Sequence, residues 1–181
     1  MKSKVIFIIG RFQPFHLGHL AIIKKYYLKG YKIKVGIGSS QHSHTKRNPF
    51  TIHERETMIR LAFKDKKIRN YKIYYIPDIN NNIKYAQHVE KIVGHFDILF
   101  TGNKTVKKIF DKYCSIEGCK IHHFSESKSR VKGIKASDIR KKWLSKESKK
   151  DISKSVFEYL KKIDAKKRLK KLHSIKTNLF F

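Results

Sequence analysis

Gly10-Arg11-Phe12-Gln13-Pro14-Phe15-His16-Leu17-Gly18-His19 follows directly on an apolar run, Val5-Ile6-Phe7-Ile8-Ile9. The length and β-branching of that run fit a strand buried on both faces. Beyond the decapeptide, Leu20, Ile23 and Tyr27 recur at helical spacing. The decapeptide is therefore a strand-to-helix turn holding two glycines, an arginine and two imidazoles. Free N–H groups and the positive dipole end at a helix start suit phosphate. His16 and His19 are three apart, so a helix begun by His16 sets both on one face to grip one anionic group. Gly18 between them leaves the backbone open to close approach by a phosphate.

Outward from this turn, the chain alternates strand and helix. Residues 33–37 read as a second strand, at a spacing that suits a right-handed βαβ unit. Thr51-Ile52-His53-Glu54 is a capping box that opens a helix with Met58, Ile59, Ala62 and Phe63 on one side. Residues 72–76, 97–100 and 120–124 read as further strands, separated by helices over 84–95 and 105–113. The expected fold class is α/β, a doubly wound parallel sheet with C-terminal helices. Ligands of such sheets lie beyond the carboxyl ends of the strands. After a basic loop over 125–135 that includes Arg130, Ser137-Asp138-Ile139-Arg140 opens a short helix to about Leu144. Ile152, Val156, Leu160 and Ile163 mark an amphipathic helix with a lysine-rich polar side. The expected division is an α/β domain over 1–144 and a Lys-rich helical extension over 145–181, packed on it. The apolar end Leu179-Phe180-Phe181 either docks on a neighbour or frays.

At 181 residues the chain can bury a substantial core. Its 43 Lys+Arg against 14 Asp+Glu give a net charge of +29, a field that attracts nucleotides, pyrophosphate and nucleic acid. Compositional bias explains the same excess. Two cysteines, Cys114 and Cys119, are too few for a disulfide framework. With His122 and His123 they match no common zinc spacing, and no metal-binding residues are expected. The N-terminal apolar run is too short for a signal peptide, and no segment has the length of a membrane span. A cytoplasmic protein without a membrane partner is expected.

The His-x-Gly-His in the first strand–helix turn resembles the nucleotidyltransferase superfamily. The longer Gly10–His19 stretch resembles the archaeal-type nicotinamide-mononucleotide adenylyltransferases in particular. The resemblance implies a Rossmann-like nucleotidyltransferase fold and adenylyl transfer from ATP to nicotinamide mononucleotide (NMN), in NAD biosynthesis. It extends over nearly the whole chain. Gly38-Ser39-Ser40-Gln41, Ser43-His44-Thr45, Arg47-Asn48-Pro49-Phe50-Thr51 and Glu54-Arg55 resemble the family's second-strand loop, which implies that Ser39 and Arg47 face NMN and its phosphate. Asp78-Ile79, Asn82 and Tyr85 resemble the nicotinamide pocket, with Tyr85 where the family usually shows tryptophan; a tyrosine ring also stacks. Gly102-Asn103 resembles the loop near the nucleotide. Lys135-Ala136-Ser137-Asp138-Ile139-Arg140 resembles the family's Ser-x-Thr-x-x-Arg, with Lys135 and Ser137 replacing serine and threonine. Lys135 either adds a phosphate contact or points to solvent.

The implied catalytic residues are His16, His19 and Arg140. Gly10, Arg11, Phe12, Gln13, Gly18, Gly102, Asn103, Ser137 and Ile139 are implied for ATP, and Ser39, Arg47, Asn82 and Tyr85 for NMN. Mg²⁺ is expected to enter with ATP, held by triphosphate and water. The resemblance further implies a homo-oligomer, since archaeal members form rings. Two alternatives remain. One is a superfamily relative using a different phosphate acceptor. The other is a basic nucleic-acid-binding protein, with weak nonspecific binding as a lesser form.

Overall fold

The computed structural model describes residues 3–124, 133–145 and 149–174. Five parallel strands form one sheet: β1 (Val5–Gly10), β2 (Lys32–Gly38), β3 (Tyr71–Ile76), β4 (Ile98–Thr101) and β5 (Lys120–His123). Their order is β3-β2-β1-β4-β5. The direction of winding reverses between β1 and β4, and a crevice opens at such a switch point.

Four crossover helices connect the strands: α1 (Leu17–Tyr27), α2 (Ile52–Asp65), α3 (Asn82–Val93) and α4 (Lys104–Tyr113). Local chemistry fixes where they start. Thr51 and Glu54 satisfy each other's backbone N–H groups at the head of α2, the capping box that the sequence predicts. Capped by Asn81, α3 starts two residues before the predicted start, and Gly94 at φ +68° ends it two residues early. Asn103 caps α4 through its side chain.

Three helices follow the sheet: α5 (Ala136–Ser145), α6 (Lys154–Lys162) and α7 (Ala165–Ser174). The sequence predicts one amphipathic helix through Ile163. α6 ends there, and Asp164 at φ +49° separates it from α7. Arg130 and the apolar end at 179–181 lie outside the described residues.

Each face of the sheet has its own apolar layer. Ile6, Ile8, Val35 and Ile37 pack with α1 and α2, and with Trp143, Val156, Leu160 and Leu169 from α5, α6 and α7. Phe7, Ile9, Leu99 and Ile76 pack with Val89 and Val93 of α3 and Phe110 of α4. The C-terminal helices thus cover the same layer as α1 and α2. Asp151 accepts the Leu17 backbone N–H at 2.9 Å through its carbonyl, and Ser155 donates to Asp65. Among the described residues no helix is long and apolar enough to cross a membrane.

Candidate active site

A cavity of about 520 Å³ opens at the carboxyl ends of the strands, within the range of roughly 300–1,000 Å³ usual for small-molecule sites. It sits at the switch point, between Gly10 of β1 and Thr101 of β4.

His16 is the residue that caps α1, and His19 occupies the first turn. The His16 ring accepts the Gly18 N–H through Nδ1 at 3.2 Å. The His19 ring accepts the His16 N–H through Nδ1 at 3.3 Å. The two imidazoles build a capping box from histidines and stack with centroids 3.6 Å apart. With Nδ1 accepting, the neutral ring carries its proton on Nε2. Burial holds both rings neutral: His16 is lowered to about 4 against a partial pull upward from Asp151, and His19 is pushed well below the usual histidine range, with His16 adding to the effect. Both rings line the cavity, so the turn offers paired neutral N–H donors, not cations.

His19 is held by rings on several sides. Phe15 stacks on it at 5.3 Å, and Phe12 and Phe124 meet it edge-on at 4.8 and 5.3 Å. Phe12 reaches this position from φ +52°. Glycines on both sides of the crevice make room for these rings. A Cβ on Gly18 would stand 3.0 Å from the His16 ring, and one on Gly102 would stand 3.0 Å from Phe124. The use of Gly18 is therefore to seat His16. It is not among the residues that line the cavity.

Positive charge surrounds the imidazoles. Arg11, Arg47, Lys104, Lys135 and Arg140 line the cavity, with Asp78 the one carboxylate among its described lining residues. Burial, then Arg47, lowers Arg11, while Asp78 pulls the other way. Burial, then Arg11, lowers Arg140. Arginines remain charged at such depths. Crowded like charges with so little negative charge favour a polyanionic ligand. Arg140 is anchored by donating from Nη1 to the Gln13 carbonyl at 2.6 Å. Lys135 also lines the cavity, just ahead of α5.

Most of the predicted residues converge here. Gly10, Phe12, Ser39, Tyr85, Asn103 and Ser137 all line the cavity, as does Gly102. Burial raises the Tyr85 phenol, with Asp78 adding to it, so the hydroxyl stays protonated. Besides Gly18, three predicted residues sit differently. Ile139 is buried in the apolar layer beneath α5, facing Trp143's cluster and not the cavity. Asn82 is exposed on the first turn of α3, outside the lining. Gln13 lines the cavity, but its side-chain amide is committed elsewhere: Nε2 donates to the Phe50 carbonyl at 3.1 Å and Oε1 accepts the Phe50 N–H at 2.9 Å. This closed pair ties the first loop to the loop that bears Arg47.

The sequence assigns no role to Lys104 or Phe124, and to Arg55 only a place in the Glu54-Arg55 part of the resemblance. Lys104 adjoins Asn103 and is visible only once α4 is placed. Arg55 lies beneath the site, fully buried, among backbone carbonyls that no motif announces.

Comparison with known proteins adds three findings. A family model described as cytidylyltransferase-like matches residues 7–142. The "Nicotinamide-nucleotide adenylyltransferase" of Thermoplasma volcanium is 36% identical over 175 residues, covering 94% of this chain and 93% of that one. The protein of the same name from Thermococcus sibiricus is 38% identical over 167 residues, covering 91% and 87%. Among solved structures, a bifunctional NMN adenylyltransferase/ADP ribose pyrophosphatase from Francisella tularensis, complexed with AMP and a manganese ion, superposes with a TM-score of 0.70. It is 21% identical, and the alignment covers 94% of this chain but only 52% of that one, about half its length. That likeness concerns the fold.

Proposed function

The chain belongs to the cytidylyltransferase-like family, and on that premise we propose that it transfers the adenylyl group of ATP to nicotinamide mononucleotide, giving NAD and pyrophosphate. Relatives of that name match along nearly their whole length. The observation that carries the proposal is one cavity lined by the stacked pair His16 and His19 together with Arg11, Arg47 and Arg140.

In the reaction an acceptor phosphate oxygen bonds to the α-phosphorus as the bond to the β-phosphate breaks. The acceptor is already ionised, so no general base is needed. The difficulty is electrostatic: two unit charges ~4 Å apart repel by about 4 kcal/mol at an effective dielectric of 20. Arg11, Arg47 and Arg140 offset that repulsion. His16 and His19, as Nε2–H donors at a helix start, stabilise charge that develops on the phosphoryl oxygens. Ser39, Arg47, Asp78 and Tyr85 form the side of the cavity assigned to NMN. Gly10, Arg11, Asn103 and Ser137 form the side assigned to ATP. Mg²⁺ comes in with the triphosphate; a single carboxylate among five cations suits an ion carried by substrate rather than caged by protein.

The proposal also takes 1–144 as the catalytic unit and 145–181 as its helical extension. It includes assembly into a homo-oligomer, which the resemblance to ring-forming archaeal enzymes supports.

The test is incubation with ATP, Mg²⁺ and a panel of phosphate acceptors, reading pyrophosphate. Release with NMN is expected. Release only with another acceptor reassigns the substrate. His19→Ala is expected to slow turnover by roughly two decades, and an unchanged rate removes the imidazole from the mechanism.

A further inference from the structure

Arg55 is completely buried on α2, yet among the described residues its guanidinium makes no salt bridge. All of its hydrogen bonds go to main-chain carbonyls. Nε donates to Thr51 at 3.2 Å, Nη1 to Gly38 at 2.8 Å and Arg11 at 3.2 Å, and Nη2 to Ser39 at 3.2 Å and His42 at 3.4 Å. Five N–H groups meet five carbonyls, which is the full donor capacity of the side chain. Burying a cation without a paired carboxylate is costly. Burial, followed by the like charge of Arg11, depresses its pKa to about 10, with Asp78 and Glu54 opposing from a distance. The group therefore remains charged at neutral pH.

The carbonyls it holds are informative. Arg11 belongs to the loop after β1, Gly38 ends β2, and Ser39 and His42 belong to the loop after it. Both loops line the cavity, and Ser39 sits at φ +49°, a conformation that needs outside support. Apolar packing alone would close this interior without a charge.

We infer that Arg55 is the positioning residue of the site. It clamps the β1 and β2 loops so that Arg11 and Ser39 are preset for their anionic ligand, and it sets a permanent positive charge behind them. The inference rests on the adenylyl-transfer reading above, which the wild-type assay tests by itself.

Arg55→Lys keeps the charge but supplies three donors in place of five. The expected result is a folded enzyme whose kcat/KM falls on the order of 100-fold, with KM raised for ATP and NMN. Arg55→Ala is expected to regain activity on adding guanidinium at millimolar concentration, with no recovery from equimolar NaCl. Either a lowered melting temperature with both KM values unchanged, or no rescue by guanidinium, overturns the inference and leaves Arg55 a structural residue. Should both variants fail to fold, hydrogen exchange of the ligand-free wild type decides. Amides of 11–13 and 38–42 are expected to be protected before ATP is added and to gain little afterwards. Strong protection that appears only with ATP overturns the preset clamp.

Discussion

His16 is asked to cap a helix and to face a polyanion, and both tasks depend on its protonation. As a cap it must accept the Gly18 N–H through Nδ1, which the imidazolium cannot do. The fold enforces the neutral form by burial, against the pull of Asp151. The folded pKa, about 4, lies below the unfolded value of 6.5. The unfolded chain therefore binds the proton first as pH falls. Stability from the neutral ring is complete above pH ~6.5 and is lost progressively as pH drops toward 4. The whole span is worth about 3 kcal/mol by linkage. His16→Asn retains a capping acceptor without a titrating ring. Urea unfolding of the two proteins at pH 7.5, 6, 5 and 4.5 should show the wild type losing this increment and the variant retaining it. Parallel curves would remove His16 as the titrating group. A bound polyphosphate works the other way and raises the ring's pKa, so substrate also offsets the acid sensitivity.

At the scale of elements, the site is braced from a distance by the end of the chain. Arg168 of α7 donates to Glu54 at 2.6 Å and to the Pro49 carbonyl at 3.4 Å, and lies over the Phe50 ring. Glu54 holds the Thr51 N–H, and Phe50 holds Gln13, whose carbonyl receives Arg140. Removing either partner of a largely buried ion pair strands the other. Arg168→Met and Glu54→Gln should each destabilise, and the double variant should lose less than their sum. A coupling of roughly 1–3 kcal/mol is expected from denaturant midpoints of the four proteins, and strict additivity would show that α7 does not brace this loop. The same elements separate what the sequence discloses from what it hides. The β1 strand, the α2 capping box and the histidine turn are local patterns, and they are legible within a few residues. Four of the five carbonyls around Arg55 lie 13 to 44 residues away, and carbonyls carry no residue identity. Gly18 and Ile139 lie in motifs that contact the site, yet one seats a ring and the other fills the core. Spacing alone does not distinguish those tasks from ligand contact. The break between α6 and α7 rests on the dihedral angle of Asp164, which no apolar spacing announces.

For the molecule as a whole, the question is what a charge of +29 does outside the cavity. Five cations in the site serve a small polyanion, and they leave most of the 43 basic residues unaccounted for. On the C-terminal helices, Lys161, Lys162, Lys167, Lys170 and Lys171 are all exposed. Such lysines act on a long polyanion by counterion release, and the logarithm of affinity falls with that of salt by ~0.9 for each phosphate neutralised on duplex DNA. Duplex DNA should therefore bind at 50 mM salt without sequence preference. With about six contacts, the affinity should drop by roughly 10³ at 200 mM. A duplex is too wide for a 520 Å³ cavity, so saturating DNA should leave kcat/KM for ATP unchanged at low salt. Competition with ATP would instead place the polyanion in the active site. Absence of binding at 50 mM would mean that the lysines reflect composition, and that the cavity alone has been shaped for phosphate.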